Sequence, residues 1–220
     1  MQVADAHKSV GTFFTTVHGF EVHSSSPRNG VNAISGGAMI VAELERIFEE
    51  MVERGDPTGR FEPPYTSVHV GTITGGTARN ITAKECRLHW EYRGVPGLDA
   101  DEIPRRLEAF VSAKVLPRLN LFGGKGSVTT ETEIVAPGLA PDPGSAAETL
   151  ALRLTGSNRT ITVPYGSEAG RFQTAGIATV VCGPGNIAQA HQPDEWIEES
   201  ELRACEAFVR ALGRELSGES

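Results

Sequence analysis

Between residues 11 and 136 the hydrophobic period switches between two and three-to-four in one order: strand, helix, strand, strand, helix, strand. That order narrows the fold more than any other feature. Residues 11–22 (GTFFTTVHGFEV) carry the Thr, Phe and Val that suit a pleated, half-buried surface. Residues 31–54 place Ile34, Ala38, Val41, Leu44, Ile47, Phe48 and Met51 on one helical stripe, which Gly55, Asp56 and Pro57 end. Residues 66–74 alternate, with Val68, Val70 and Thr72 on one face and Ser67, His69 and Gly71 on the other. GGTARN at 75–80 is a tight connection, and 86–93 alternate again through Leu88, Trp90 and Tyr92. A second helix is predicted over 101–118, with Asp99 or Asp101 as its N-cap and Ile103, Leu107, Phe110, Val111 and Val115 as its apolar side. SVTTETEIV, 127–135, is a fourth strand. A βαββαβ order makes a ferredoxin-like layer: a four-stranded antiparallel sheet with both helices on one face. The other face is left to water or a partner.

A composition shift follows. APGLAPDPG, 136–144, is a Pro/Gly-rich linker, and the pattern beyond it is α/β. A helix at 145–155 leads to a short strand at 160–163 and a Gly-rich turn, PYGSEAGRF, at 164–172. The apolar run IATVVC, 177–182, reads as a buried parallel strand. A loop, GPGNIAQAHQPDEW, and a helix at 199–216 follow. The expected class is therefore α+β followed by α/β. Two strands alone bury too little for the second piece to be stable by itself.

Charge excludes some functions. Twenty Lys and Arg against 28 Asp and Glu leave a net charge of −8. That is the wrong sign for a nucleic-acid binder or an anionic membrane surface, and neither partner is expected. No apolar run approaches the ~20 residues that span a bilayer. The opening MQVADAHKSV has no apolar core, so no secretory signal is expected there. Cys86, Cys182 and Cys205 are few and widely spaced, which fits a reducing, cytoplasmic compartment and no disulfide framework. With no CxxC pair, any metal must be held by His and carboxylates.

Several residues offer chemistry. His191, with Asp194 and Glu195 behind it, follows the end of a strand, where open α/β sheets place ligands. It is a metal ligand or general base, or else a loop histidine at a helix end. In PYGSEAGRF, exposed N–H groups and Ser167 suit a carboxylate and Arg171 adds a bidentate contact; a plain Gly turn with Glu168 at the helix start is the alternative. His23, followed by three serines, belongs to a polar loop or donates to a developing oxyanion. Asn80 at a turn and Arg93 at a strand end have ordinary structural readings. No G-x-S-x-G elbow occurs, and Cys182, at the end of an apolar strand, reads as inert. His7, His18, His69 and His89 read as structural or surface residues.

Three segments taken together carry a family resemblance: TVHGFEVHSSSPRNGVNAI, VGTITGGTARNITAKECRLHWEYR, and VPYGSEAGRFQTAGIATVVCGPGNIAQAHQPDEW. They resemble the acetylornithine deacetylase / succinyl-diaminopimelate desuccinylase / carboxypeptidase G family of co-catalytic metallo-amidohydrolases, the third segment most of all its deacetylase branch. The resemblance implies an α/β catalytic domain with an inserted ferredoxin-like lid that dimerises. Residues 1–10 are then a leader from the catalytic domain, 11–136 the lid, and 137–220 the C-terminal part of the catalytic domain. It implies that His191 is a zinc ligand. It implies that His23 reaches the partner subunit's site and polarises the scissile carbonyl. Asn80 and Arg93 would hold the substrate carboxylate, Gly166, Ser167 and Arg171 the substrate-binding turn, and Asn186 a nearby contact. The family's H-x-D motif, bridging Asp and Glu pair are not in this sequence, and one histidine cannot make a site of three or four protein ligands. The expectation is part of a homodimeric amidohydrolase acting on N-acyl amino acids, inactive by itself. The complete enzyme would use two ions of zinc, cobalt or manganese, with at most one ligand here. A non-catalytic dimerisation module is the alternative.

Overall fold

The computed structural model describes residues 1–190 and 192–218, which divide into two units: Ser9–Pro137, and Met1–Lys8 together with Gly138–Ser220. The first strand, β1 (Gln2–His7), belongs to the latter. The Ser9–Pro137 unit runs β2 (Ser9–His18), α1 (Ala33–Arg54), β3 (Ser67–Gly75), β4 (Glu85–Gly94), α2 (Glu102–Phe110), a π-helical turn at Val111–Val115, α3 (Leu116–Leu119) and β5 (Ser127–Ala136). Its strands are antiparallel throughout, in the order β3-β4-β2-β5, which is the ferredoxin-like sheet.

One sheet face is buried against the helices. Phe13, Val17, Leu88, Trp90 and Tyr92 meet Ile40, Leu44, Ile47 and Met51 of α1 and Ile103, Leu107, Val111 and Val115 of the second helical run. Phe13 stacks on Trp90 with ring centroids 4.4 Å apart. The indole Nε1–H donates to Thr15 Oγ1 at 2.9 Å, so the largest core side chain leaves no polar atom unsatisfied. α1 lies close on the sheet because Gly37 faces it. A Cβ there would stand 2.5 Å from Cys86 Sγ. Asn32 starts α1, its Oδ1 accepting from Ile34 N at 3.0 Å.

Local details differ from the sequence expectation. β2 stops at His18, not residue 22. The chain doubles back, Phe20 and Val31 exchange backbone hydrogen bonds of 2.9 and 3.1 Å, and Gly19 passes so near Val31 O that no side chain fits. In β3 the alternation breaks at a bulge between Val70 and Thr72: Thr72 opposes His89, and Ile73 opposes Leu88. Ile73, not Thr72, therefore continues the face of Val68 and Val70, with Gly71 as the extra residue. Asp101 occupies the N-cap of α2 without a side-chain cap bond, while Asp99 Oδ1 accepts from Asp101 N at 3.0 Å.

The second unit holds α4 (Ala146–Thr155), β6 (Ile161–Val163), α5 (Ala169–Thr174), β7 (Val181–Gly183) and α6 (Glu199–Ser217). Its sheet order is β6-β1-β7, so the stretch read as a leader supplies the middle strand. β6 runs parallel to β1. The apolar run 177–182 is not a buried parallel strand. Only Val181–Gly183 pairs, antiparallel to β1, and Ile177 is 53% exposed. The reason is local: Gly176 at φ 81° and the Ile177 N–H donating to Phe172 O at 3.0 Å commit the start of the run to closing α5. Ser145 caps α4, accepting from Glu148 N at 3.3 Å, and left-handed Gly156 ends it. No described helix is long and apolar enough to cross a membrane.

Candidate functional site

At the end of the sheet where β2 and β3 stop and β4 begins, the loop after β2 pairs with the turn before β4. Thr82 N donates to Val22 O and Ser24 N to Asn80 O, both at 2.9 Å, around a bridge between His23 and Ile81. This short antiparallel ladder extends past the sheet, with His23 opposite Ile81 and Asn80 opposite Ser24. Both are exposed. The serines after His23 are more than polar filler. The Ser25 N–H donates to His23 Nδ1 at 3.2 Å, and Ser25 Oγ lies 2.8 Å from the same nitrogen. The loop is steadied from behind by Ser26 N donating to His23 O at 2.9 Å and by the Arg28 guanidinium over the Phe122 ring, 5.4 Å from its centroid.

Arg93 lies elsewhere. It sits near the far end of β4, opposite Val10 and Ser67, on the sheet face away from the helices. Eight residue steps separate it from Glu85, about 27 Å of extended strand. Its guanidinium is held by Glu91, at 2.8 Å from Nη2 and 3.2 Å from Nε. One copy of this unit does not bring Arg93 to His23 and Asn80.

In the second unit, Gly166 and Ser167 lie between β6 and α5. Ser167 Oγ accepts from Ala169 N at 3.2 Å and so serves the start of α5, while Arg171 is exposed on that helix. Asn186 is committed to its own backbone. Its Oδ1 accepts from Ala188 N at 2.9 Å, and its N–H donates to Gln189 Oε1 at 3.0 Å, a capping box on a single 3₁₀ turn. A cavity of about 480 Å³ opens beside it, lined by Ile161, Tyr165, Cys182, Asn186, Glu195 and Trp196 among others. Gly166, Ser167 and Arg171 do not line it. Cys182 is half-buried and burial pushes its thiol up, away from a nucleophilic thiolate.

His191, the sequence candidate for a metal ligand, lies outside the described residues. Among the described residues no three His, Cys, Asp or Glu side chains gather as a metal site, so that donor set does not fit a zinc, cobalt or manganese centre. Sequence reasoning passed over Ser25, whose position two residues after a histidine in a tight turn was the available signal. His7, read as a structural or surface residue, is a structural one. That ring is wholly buried at the end of β1, with Nδ1 2.9 Å from Lys8 O and Nε2 unpartnered. Burial pushes its pKa down and keeps it neutral.

Residues 5–118 match the M20 peptidase dimerisation domain. Acetylornithine deacetylase of Myxococcus xanthus is 31% identical over 194 residues, 88% of this chain and 49% of that protein. Among solved structures, a tripeptidase from Staphylococcus aureus superposes with a TM-score of 0.67 at 23% identity, over 94% of this chain and 52% of that one. Human carnosine dipeptidase 1 does so with a TM-score of 0.64 at 12% identity, over 94% of this chain and 56% of that one. At such identities the structures establish the fold. The chain spans about half the length of these relatives.

Proposed function

The chain belongs to the family of the M20 peptidase dimerisation domain, and on that premise we propose that it is the lid-bearing part of a metal-dependent amidohydrolase that deacylates N-acyl amino acids. The observation that carries this reading is the ladder that joins the His23 loop to the Asn80 turn on an exposed edge. His23 donates to the scissile carbonyl oxygen, and the bond strengthens as water adds and negative charge develops there. A donor of this kind is worth about 3–4 kcal/mol, or 10²–10³ in rate. The Asn80 amide and the Arg93 guanidinium take the substrate carboxylate, Arg93 by exchanging its partner Glu91 for it.

The separation of Arg93 from His23 supports a homodimer. With about 27 Å of extended strand between Arg93 and the end of the sheet that carries His23, the two reach one amino-acid-sized substrate only from different protomers. β3 is an edge strand, and exposed Ile73 and Ile34 beside it make it the surface for a second copy. Because the described donor set does not fit a metal, no step is assigned to one. His191 is the sequence's one proposed contribution to a metal site, with the remaining ligands and the general base on polypeptide outside this sequence.

The test is a hybrid in which this chain replaces the matching half of the Myxococcus xanthus acetylornithine deacetylase. Deacylation of N-acetylornithine or a related N-acyl amino acid is expected, falling about 10²–10³-fold in His23→Ala. A folded, metal-loaded hybrid that cleaves none of them overturns the reading. The rival reading, a non-catalytic dimerisation module, rests on the same open β3 edge and expects a hybrid indifferent to His23.

A further inference from the structure

A neutral imidazole carries one ring proton, so whether His23 presents a donor or an acceptor depends on which nitrogen holds it. Two groups of one residue converge on Nδ1: the Ser25 N–H at 3.2 Å and the Ser25 hydroxyl at 2.8 Å. A backbone amide can only donate, so Nδ1 accepts and carries no proton. The hydroxyl therefore donates to it as well. The single proton of the neutral ring is left on Nε2, the nitrogen on the ring's outer edge.

The surrounding backbone makes this an arrangement of the fold rather than of one exposed rotamer. The bridge to Ile81 fixes the His23 main chain. Ser26 N donates to His23 O and closes the turn that brings Ser25 back over the ring. The Ser24 N–H is taken by Asn80 O. Of the three serines, Ser25 alone bonds the imidazole.

We propose that Ser25 is a positioning residue that holds His23 in the Nε2–H tautomer, so that the exposed edge of the ring meets an oxyanion as a donor. The oxyanion is that of the hydrolase reading above, on which this inference rests; the tautomer is a property of the chain itself. Without Ser25's two donors the ring samples both tautomers, and those with the proton on Nδ1 offer the ligand a lone pair instead.

The experiment is long-range ¹H–¹⁵N correlation on the full chain with ¹⁵N-labelled histidine, in alkaline buffer. The wild type is expected to show Nδ1 bare and Nε2 protonated. Ser25→Ala keeps the amide donor and loses the hydroxyl, and is expected to lower the Nε2–H to Nδ1–H ratio about two- to tenfold, the factor of one net hydrogen bond. Ser25→Thr restores the ratio. A wild-type ring with its proton on Nδ1, or a ratio unmoved by Ser25→Ala, overturns the proposal. A wild-type tautomer as described in an inactive hybrid defeats the hydrolase reading alone. An active hybrid whose tautomer ignores Ser25 defeats the present inference alone.

Discussion

The Ser24 N–H donates to the carbonyl of Asn80 at 2.9 Å, joining the loop that follows β2 to the turn that precedes β4. Fifty-six positions apart in sequence, the two segments form one rung of a ladder beyond the sheet. Its geometry joins the segments that carry His23 and Asn80 while β4 carries Arg93 away from both.

The chain by itself, supplied with zinc or cobalt, is expected to hydrolyse no N-acetylornithine. Its described residues gather no three-ligand site, and a catalytic metal of this kind needs about three protein ligands. A colorimetric amine-release assay on purified chain checks this. Turnover that tracks the protein through purification would contradict it.

Association through the β3 edge is expected to give a dimer by light scattering after size exclusion. Ile73, 51% exposed on that edge strand, is the point at which to break it. Ile73→Lys should shift the mass to monomer while the circular dichroism spectrum stays the same. A wild-type chain that runs as monomer at micromolar concentration counts against the homodimer.

Thr15→Val removes the acceptor of the Trp90 indole and leaves a buried N–H unsatisfied, at a cost of about 1–3 kcal/mol. The expected result is a lower urea midpoint with unchanged slope, followed by Trp90 emission in a Trp196→Phe background. An unmoved midpoint would mean that water reaches the indole.

Gly37→Ala gains helix propensity, about 1 kcal/mol, but drives a methyl to 2.5 Å from Cys86 Sγ. Overpacking of this kind costs about 1–3 kcal/mol, and a net loss of stability is expected. Cys86→Ala in the same molecule should recover it. A double-mutant cycle in which the two changes simply add would show that α1 shifts at no cost.

Asp56 makes the stability of the Ser9–Pro137 unit depend on acid. Burial disfavours its charged form, but the Thr58 hydroxyl and the N–H groups of Phe61, Thr58 and Arg60 outweigh burial and hold the carboxyl below its usual value. Its folded pKa is thus below the unfolded one of about 3.9. The stabilisation is fully present above that unfolded value and is lost as pH falls through the folded one. Asp56→Asn should weaken the unit at neutral pH and flatten its urea midpoint against pH in the acid range. A midpoint profile identical to the wild type would remove Asp56 from the account.

Much of the Ser9–Pro137 unit was legible because its elements are long enough to show a period. The stripe of α1 recurs over 22 residues, and β2, β4 and β5 each run for 10. The second unit was less legible because β6 and β7 have three residues each, too few to distinguish a strand from the close of a helix. The site divides the same way. His23, Asn80 and Arg93 stand out by residue type and family resemblance. The commitment of Asn186 and Ser167 to local caps is visible only in hydrogen bonds.

By itself the sequence determined the element order of the Ser9–Pro137 unit, its helical stripes and its turn residues, since each depends on neighbours a few positions away. Only the tertiary structure decided the bulge that turns Ile73 rather than Thr72 toward the Leu88 face, the place of β1 between β6 and β7, and the bonds from Ser25 that decide which nitrogen of His23 holds the proton. The physical reason is that backbone pairing is chemically the same at every residue. Which strand meets which, and in what register, is selected by the packing of the whole layer rather than by any local stretch of chain.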